Sequence, residues 1–180
     1  MSTPTTPTSM VNRLMGLEAF TDGLLLGDGT TIGGTGANAS VIVVPPATTT
    51  LTLTAALHGN RRLNIASTGG LAITPPAATG TGIAYTFFVS ATISGGSFTI
   101  DAKAGNSADV FCGIAWQNKT GTGITTTPTA ANTNLLTLNG TTTGGILGDL
   151  ITMVDVGTHA WNLEIVGQYT GSFSTPFSNH

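Results

Sequence analysis

Ser97-Phe98-Thr99-Ile100-Asp101-Ala102 alternates polar and apolar residues at every step, and Leu51-Thr52-Leu53-Thr54 does the same. A period of two places Phe98, Ile100 and Ala102 on one face of an extended strand and hydroxyl or acidic groups on the other. Working outward from these stretches, the chain from Ser40 onward is a succession of short β-type runs broken by Gly, Pro and Asn. Strands are expected at 41–44, 50–57, 61–66, 71–74, 83–92, 96–102, 109–117, 133–139, 149–156 and 160–168. Turn signals every 8–12 residues or so point to an all-β, jelly-roll-like β-sandwich over residues 41–180 rather than a helix-covered parallel sheet. Its core is expected to include Phe87, Phe98, Trp116 and Trp161, which all lie within apolar strand patterns.

Residues 1–40 have a different texture. Met1 to Ser9 is a Thr/Pro segment that cannot bury apolar surface. Ser9 is placed to cap a short helix over residues 10–20, whose Met10, Leu14, Leu17 and Phe20 offer apolar anchors for a partner surface. A helix of about three turns does not persist in water without such a surface. Residues 27–40, with Gly27-Asp28-Gly29 and Gly33-Gly34-Thr35-Gly36, are expected to form a glycine-rich connector, so residues 1–40 are expected to be an arm ahead of the sandwich.

Only 7% of the 180 residues are charged, against about 25% in an ordinary soluble domain. Five Lys and Arg residues and a net charge of −3 cannot make a stripe that tracks phosphates, so no nucleic-acid partner is expected. Cys112 is the one cysteine, which excludes an intrachain disulfide and a Cys-based zinc site, and its neighbours Val110, Phe111 and Ile114 suggest a small buried residue. The N-terminus lacks the basic start and apolar run of a secretory leader. No apolar run is long enough to span a bilayer, so synthesis in a cytoplasm and no membrane partner are expected. Thr-rich faces with few Lys and Glu residues leave strand edges poorly guarded, which makes self-association the default expectation.

The supply of chemically active groups is thin. Eight acids and three histidines are present, and no Gly-x-Ser-x-Gly elbow singles out a nucleophile. Asp149 and Asp155 could bracket a bond as a glycosidase pair, yet each sits beside a turn and reads more simply as the opening and closing residue of one strand. Gly27-Asp28-Gly29-Thr30-Thr31-Ile32-Gly33-Gly34 lacks the Lys that a phosphate loop requires, and Asp22 and Asp28 lack the regular ligand series of a calcium loop. His58, His159 and His180 have no metal-ligand spacing and are expected in turns or at the surface. No catalytic residue, metal or cofactor is therefore expected. Aromatic residues on an exposed sheet face could stack sugar rings, but a core reading is preferred for them.

Two segments carry a resemblance. Leu57-His58-Gly59-Asn60-Arg61-Arg62-Leu63-Asn64-Ile65, Gly69-Gly70-Leu71-Ala72-Ile73-Thr74-Pro75-Pro76-Ala77-Ala78-Thr79-Gly80-Thr81-Gly82 and Tyr85-Thr86-Phe87-Phe88-Val89 resemble the central part of virion structural proteins of tailed bacteriophages. Leu138-Asn139-Gly140-Thr141-Thr142-Thr143-Gly144-Gly145, Gly148-Asp149-Leu150-Ile151, Asp155, Trp161 and Gly167, ending in Thr175-Pro176-Phe177-Ser178, are similar to the closing hairpin of head decoration, or cement, proteins. The resemblance covers about residues 50–178 and implies a homotrimeric β-domain on the outside of an icosahedral head, bound to the major capsid protein and bracing capsomer contacts. It carries no catalytic residues. The alternative from another class is a carbohydrate- or receptor-binding β-module of a tail fibre or adhesin.

Overall fold

A computed structural model describes Leu24–Leu25, Thr31–Ile32 and residues 41–180 apart from Thr120. The chain divides at Ser40/Val41. In the first unit β1 (Leu24–Leu25) pairs antiparallel with β2 (Thr31–Ile32), in register Leu24↔Ile32, so the glycine-rich connector contains a strand. The proposed helix over 10–20, with Met10, Leu14, Leu17 and Phe20, lies outside the described residues.

The second unit holds twelve strands: β3 (Val41–Val44), β4 (Thr50–Thr52), β5 (Arg61–Ile65), β6 (Leu71–Thr74), β7 (Ala84–Val89), β8 (Phe98–Asp101), β9 (Val110–Lys119), β10 (Gly123–Pro128), β11 (Leu135–Leu138), β12 (Leu150–Gly157), β13 (Ala160–Gln168) and β14 (Phe177–Ser178). They form a large sheet of seven strands, in the order β10-β9-β13-β12-β7-β5-β3, and a small sheet of five, β14-β11-β8-β6-β4. Two one-turn helices, α1 (Ala55–His58) and α2 (Ala102–Gly105), follow β4 and β8. Thr54 caps α1 by accepting from the Leu57 N–H at 3.3 Å, which ends the strand expected over 50–57 early.

The sandwich is all-β, but its connections are not those of a jelly roll. From β3 to β9 the chain crosses to the other sheet after every strand. Up to β8 each return lands parallel beside the previous strand of that sheet, giving β3/β5/β7 in the large sheet and β4/β6/β8 in the small one, whereas β9 returns with two strands, β12 and β13, between it and β7. A jelly roll pairs its strands antiparallel through Greek keys; this half of the domain is a parallel coil. Proline explains part of the difference. Pro45-Pro46 directly follows β3 and Pro75-Pro76 directly follows β6. Neither pair can donate to a ladder, so the chain leaves the sheet instead of folding back as an in-plane hairpin. Successive rungs also lengthen: Val41↔Arg62 and Thr50↔Ala72 are followed by Arg61↔Tyr85 and Leu71↔Phe98. A rung that changes length leaves no fixed sequence period.

The coil closes with antiparallel hairpins and one parallel pairing, of β13 with β9. Strand β10 folds back on β9, β11 pairs with β8, and the β12/β13 hairpin fills the large sheet between β7 and β9. The facing sides of the two sheets share one core containing Leu63, Ile65, Tyr85, Phe87, Leu71, Ile73, Phe98, Ile100, Leu136, Leu138, Ile151 and Met153. Phe87 of the large sheet meets Phe98 of the small one edge to face, 5.7 Å between ring centres. Trp161 is fully buried against Tyr85 at 5.9 Å. Three of the four expected core aromatics, Phe87, Phe98 and Trp161, thus occupy the core, while Trp116 is 42% exposed. Among the described residues no helix is long and apolar enough to cross a membrane.

Candidate functional site

Strand β9 shows why Trp116 is outside. Its inward positions are Phe111, Gly113, Ala115 and Gln117, so Cys112, Ile114, Trp116 and Asn118 must point away from the core. Cys112 is exposed, contrary to the small buried residue expected from its apolar neighbours. The same parity holds across the large sheet, and register places the outward residues in rows. One row reads Thr126, Trp116, Val166, Leu150, Phe88, Asn64, Val43, crossing β10, β9, β13, β12, β7, β5 and β3. Val43 is 62% and Val166 54% exposed, and Leu150 and Phe88 are half-buried. The next row reads Pro128, Ile114, Glu164, Thr152, Thr86, Arg62, Val41 over the same strands.

The outer face of the large sheet is therefore an apolar band beside a band of hydroxyls with one acid and one base. The Arg62 guanidinium carbon lies 4.3 Å from the centre of the Phe88 ring, a cation–π contact that holds the charge on this face. Glu164 is exposed on β13. Three strand spacings separate it from Arg62, about 14 Å at the usual 4.8 Å per strand, too far for a salt bridge within one chain. Among the described residues of this chain neither side chain belongs to an ion pair. Contiguous exposed apolar surface of this kind on a folded domain marks a contact site. Next to it, a cleft of about 240 Å³ is lined by Lys119, Ile146, Gln168, Tyr169, Thr170 and Gly171. Tyr169 is buried there, packed edge to face on Phe173 and bonded through its hydroxyl to Thr125 Oγ1 at 3.2 Å, so its ring offers no open stacking face.

The acids expected at strand ends instead fasten loops. Asp149 is fully buried just before β12, where its Oδ2 accepts from the N–H groups of Gly145 and Ile146 and its Oδ1 from that of Gln168. Gly167 makes room for it, since a Cβ there would strike the carboxylate. Burial pushes the Asp149 carboxyl above its ordinary value, and the three backbone donors oppose that rise. Asp155 lies at the other end of β12, at the bulge where register shifts before Gly157. It accepts from the backbone N–H groups of Thr79, Gly80 and Thr81 and from both threonine hydroxyls. Burial acts to raise its pKa, but these donors outweigh burial and hold the carboxyl below its ordinary value. Six residues of strand, about 20 Å, separate the two acids, so they do not bracket one bond.

The histidines have local partners. Nδ1 of His58 accepts from the Thr54 N–H at 3.0 Å, which requires that nitrogen to be unprotonated, and burial, with Arg61 nearby, lowers its pKa. Nδ1 of His159 lies 2.9 Å from Oδ1 of the fully buried Asp109, whose Oδ2 accepts from the Ala78 N–H at 2.7 Å. This pair joins the turn between β12 and β13 to the connector before β7. His180 contacts Asp101 at the surface, again at 2.9 Å. No cluster of three metal-ligating side chains occurs among the described residues.

Comparison with protein-family models, with curated proteins and with solved structures finds no match for the chain. Among the described residues the fold and the outer face together define a class: a two-sheet β-domain, part parallel coil and part hairpin closure, with exposed apolar residues on the outer face of its large sheet. Sequence reasoning missed that face because it assigned Trp116 to the core. The information was present in Phe111 and Trp116, five positions apart in one strand, since an odd spacing sends two residues to opposite faces.

Proposed function

We propose that the chain is a structural virion protein, a decoration or cement protein that binds the outside of an icosahedral phage head and stabilises contacts between capsomers. The observation carrying this reading is the outer face of the large sheet, where Trp116, Val166 and Val43 stand exposed in a chain with only 7% charged residues. A domain built to work alone in water covers or charges such a face; one that spends its life in an assembly has it covered by neighbours. Cementing needs no chemistry. A protein that binds the assembled lattice and not its free subunits stabilises the lattice by mass action, and several arms per oligomer add avidity. The partner is the major capsid protein, and the resemblance implies three copies per oligomer.

The test is the number of copies of this chain per purified virion, measured by quantitative mass spectrometry against the major capsid protein. A number comparable to the capsid protein is expected; absence from virions would end the decoration reading. Deleting residues 1–20 is expected to leave the β-domain folded and to weaken capsid binding at least tenfold, as about 1.4 kcal/mol of lost arm contact does. Binding equal to that of the full chain would remove the arm, with Met10, Leu14, Leu17 and Phe20, from the mechanism.

The second reading, a tail-fibre or adhesin module, is favoured by one observation: Trp116 stands open on a sheet face beside its register partner Thr126 and its strand neighbour Asn118. An indole flanked by hydroxyl and amide groups suits a sugar ring. Binding to one glycan class on an array, abolished by Trp116→Ala, would establish it; a handful of copies per virion would point the same way.

A further inference from the structure

We propose that Asn139 is a latent modification site: the folded loop keeps its side-chain amide from cyclising, and opening of that loop lets it convert to an acid. The inference is independent of what the outer face of the large sheet binds. Asn139-Gly140 is the one Asn-Gly pair in the sequence. In such a pair the backbone nitrogen of the glycine, with no side chain beside it, is free to attack Cγ of the asparagine. A bond forms between that nitrogen and Cγ, the bond from Cγ to Nδ2 breaks, and ammonia leaves with the proton taken from the glycine nitrogen. Water then opens the succinimide ring at either carbonyl, giving aspartate or isoaspartate.

The loop after β11 explains both why the pair is there and what holds it closed. Gly140 has a left-handed φ of +76°, and a Cβ on it would strike the Ile93 carbonyl oxygen, so glycine is required. Asn139 supplies an acceptor and a donor together. Its Oδ1 accepts from the N–H groups of Thr141 at 2.9 Å, Thr142 at 2.9 Å and Thr143 at 3.2 Å, and its Nδ2 donates to Thr142 Oγ1 at 2.9 Å. The same bonds obstruct the reaction. In the ring, Cγ takes the place that the glycine amide hydrogen held, and here that hydrogen points at the Gly144 carbonyl oxygen, with N to O 2.6 Å. The Asn139 N–H is tied to Thr143 Oγ1 at 3.0 Å, so residue 139 is held at its backbone and at both ends of its amide. Cyclisation has to turn the Asn139–Gly140 peptide plane away from Gly144 against all of these contacts. Other segments brace the loop: Thr141 O accepts from the Thr170 N–H, Thr142 O from the Ser174 N–H, and Gly145 O from the Ile93 N–H. One effect opposes the block, because three N–H groups on Oδ1 resemble an oxyanion hole and stabilise charge that grows there. They act only once the nitrogen reaches Cγ, and the bond to Gly144 withholds that approach, so orientation decides.

The experiment follows the full chain in mildly alkaline buffer by peptide mass spectrometry, with isoaspartate separated from aspartate by chromatography. Conversion at Asn139 is expected to be at least tenfold slower in the folded chain than in the same chain unfolded in urea, the suppression that about 1.4 kcal/mol of local stability gives. Thr142→Val and Thr143→Val keep the branched side-chain shape and remove the acceptors of Asn139 Nδ2 and of the Asn139 N–H. Each is expected to speed conversion in the folded chain about fivefold, as loss of one hydrogen bond worth about 1 kcal/mol does, with circular dichroism showing the sheets intact. Should a variant fail to fold, the comparison of folded with unfolded wild type decides alone. Equal rates in the folded and unfolded chain overturn the proposal, as does a folded rate that neither substitution moves. Its failure leaves the decoration reading standing, since that reading is settled by copies per virion, and absence from virions leaves the protected amide standing.

Discussion

Trp161→Ala lowers the melting temperature by about 10 °C or more, while Trp116→Ala leaves it within a degree or two. Trp161 is the largest fully buried side chain, packed on Tyr85 at 5.9 Å between ring centres and set in the β12/β13 hairpin that closes the coil. Truncating a buried tryptophan costs about 3–5 kcal/mol through lost transfer energy and the cavity left behind, and at about 2–4 °C per kcal/mol for a domain of this size the melting point falls accordingly. The indole N–H of Trp161 has no hydrogen-bond partner among the described residues. The loss is therefore one of volume, and Trp161→Phe should recover much of it. Trp116 lies on the same sheet but outward, where substitutions cost about 0.5 kcal/mol or less. Thermal melts of the three variants check this. Equal losses for Trp116→Ala and Trp161→Ala would contradict the parity on which the interaction surface depends.

The contrast between the two tryptophans also shows what was legible in the sequence. Strong alternation declared itself: Phe98 and Ile100 face inward with Thr99 outward, as Ser97 to Ala102 requires, and β5, β6, β8 and β11 lie within the expected ranges. Strand β10 escaped because Gly123-Ile124-Thr125-Thr126-Thr127-Pro128 has no apolar alternation; it is an edge strand whose outward Ile124 is 70% exposed and whose formation depends on pairing with β9. In β9, Val110 to Trp116 is apolar at both parities. Composition there cannot say which set faces in. Tertiary structure decides it through Gly113, where a Cβ would strike the Leu163 carbonyl of the adjacent strand.

Connectivity was the least legible feature. A strand list is equally compatible with Greek keys and with a coil that alternates between sheets, because both need short strands and frequent turns. What separates them is where each connector delivers the chain, and that depends on long-range pairs such as Asp155 with Thr79 to Thr81, some seventy-five residues apart. The sequence pattern puts Asp149 and Asp155 at the ends of one strand but carries no sign of their partners. An aspartate that caps a turn of its own neighbourhood leaves a local pattern. One that clamps a loop from another rung leaves none.

Asp155 carries the second large effect, and its sign follows from those donors. Because the folded carboxyl is held below its ordinary value of about 3.9, ionised Asp155 favours the folded state at every pH above that value. The contribution is constant from pH 7 to about 5, declines below that, and is gone once pH has fallen through the folded value. Asp155→Asn keeps the size of the side chain but replaces one accepting oxygen by an NH2 that faces N–H and O–H donors. The donors belong to the exposed loop residues Thr79 to Thr81, so water takes over part of what the lost oxygen gave, and at about 1 kcal/mol net per lost bond the variant should be about 1–2 kcal/mol less stable at neutral pH, a fall of about 5 °C. The gap between wild type and variant should hold steady down to about pH 5 and then close, because protonation gives the wild type the same defect. Asp149 acts in the opposite sense: its carboxyl is raised by burial, so acid relieves a cost there rather than removing a benefit. Asp149 is present in both chains, and its contribution cancels in the difference. Melting curves of the pair at a series of pH values isolate Asp155. A gap that stayed constant into strong acid would mean that the carboxylate charge does not hold the Thr79 to Thr81 loop, and that the loop is fixed by the Gly80 backbone turn alone.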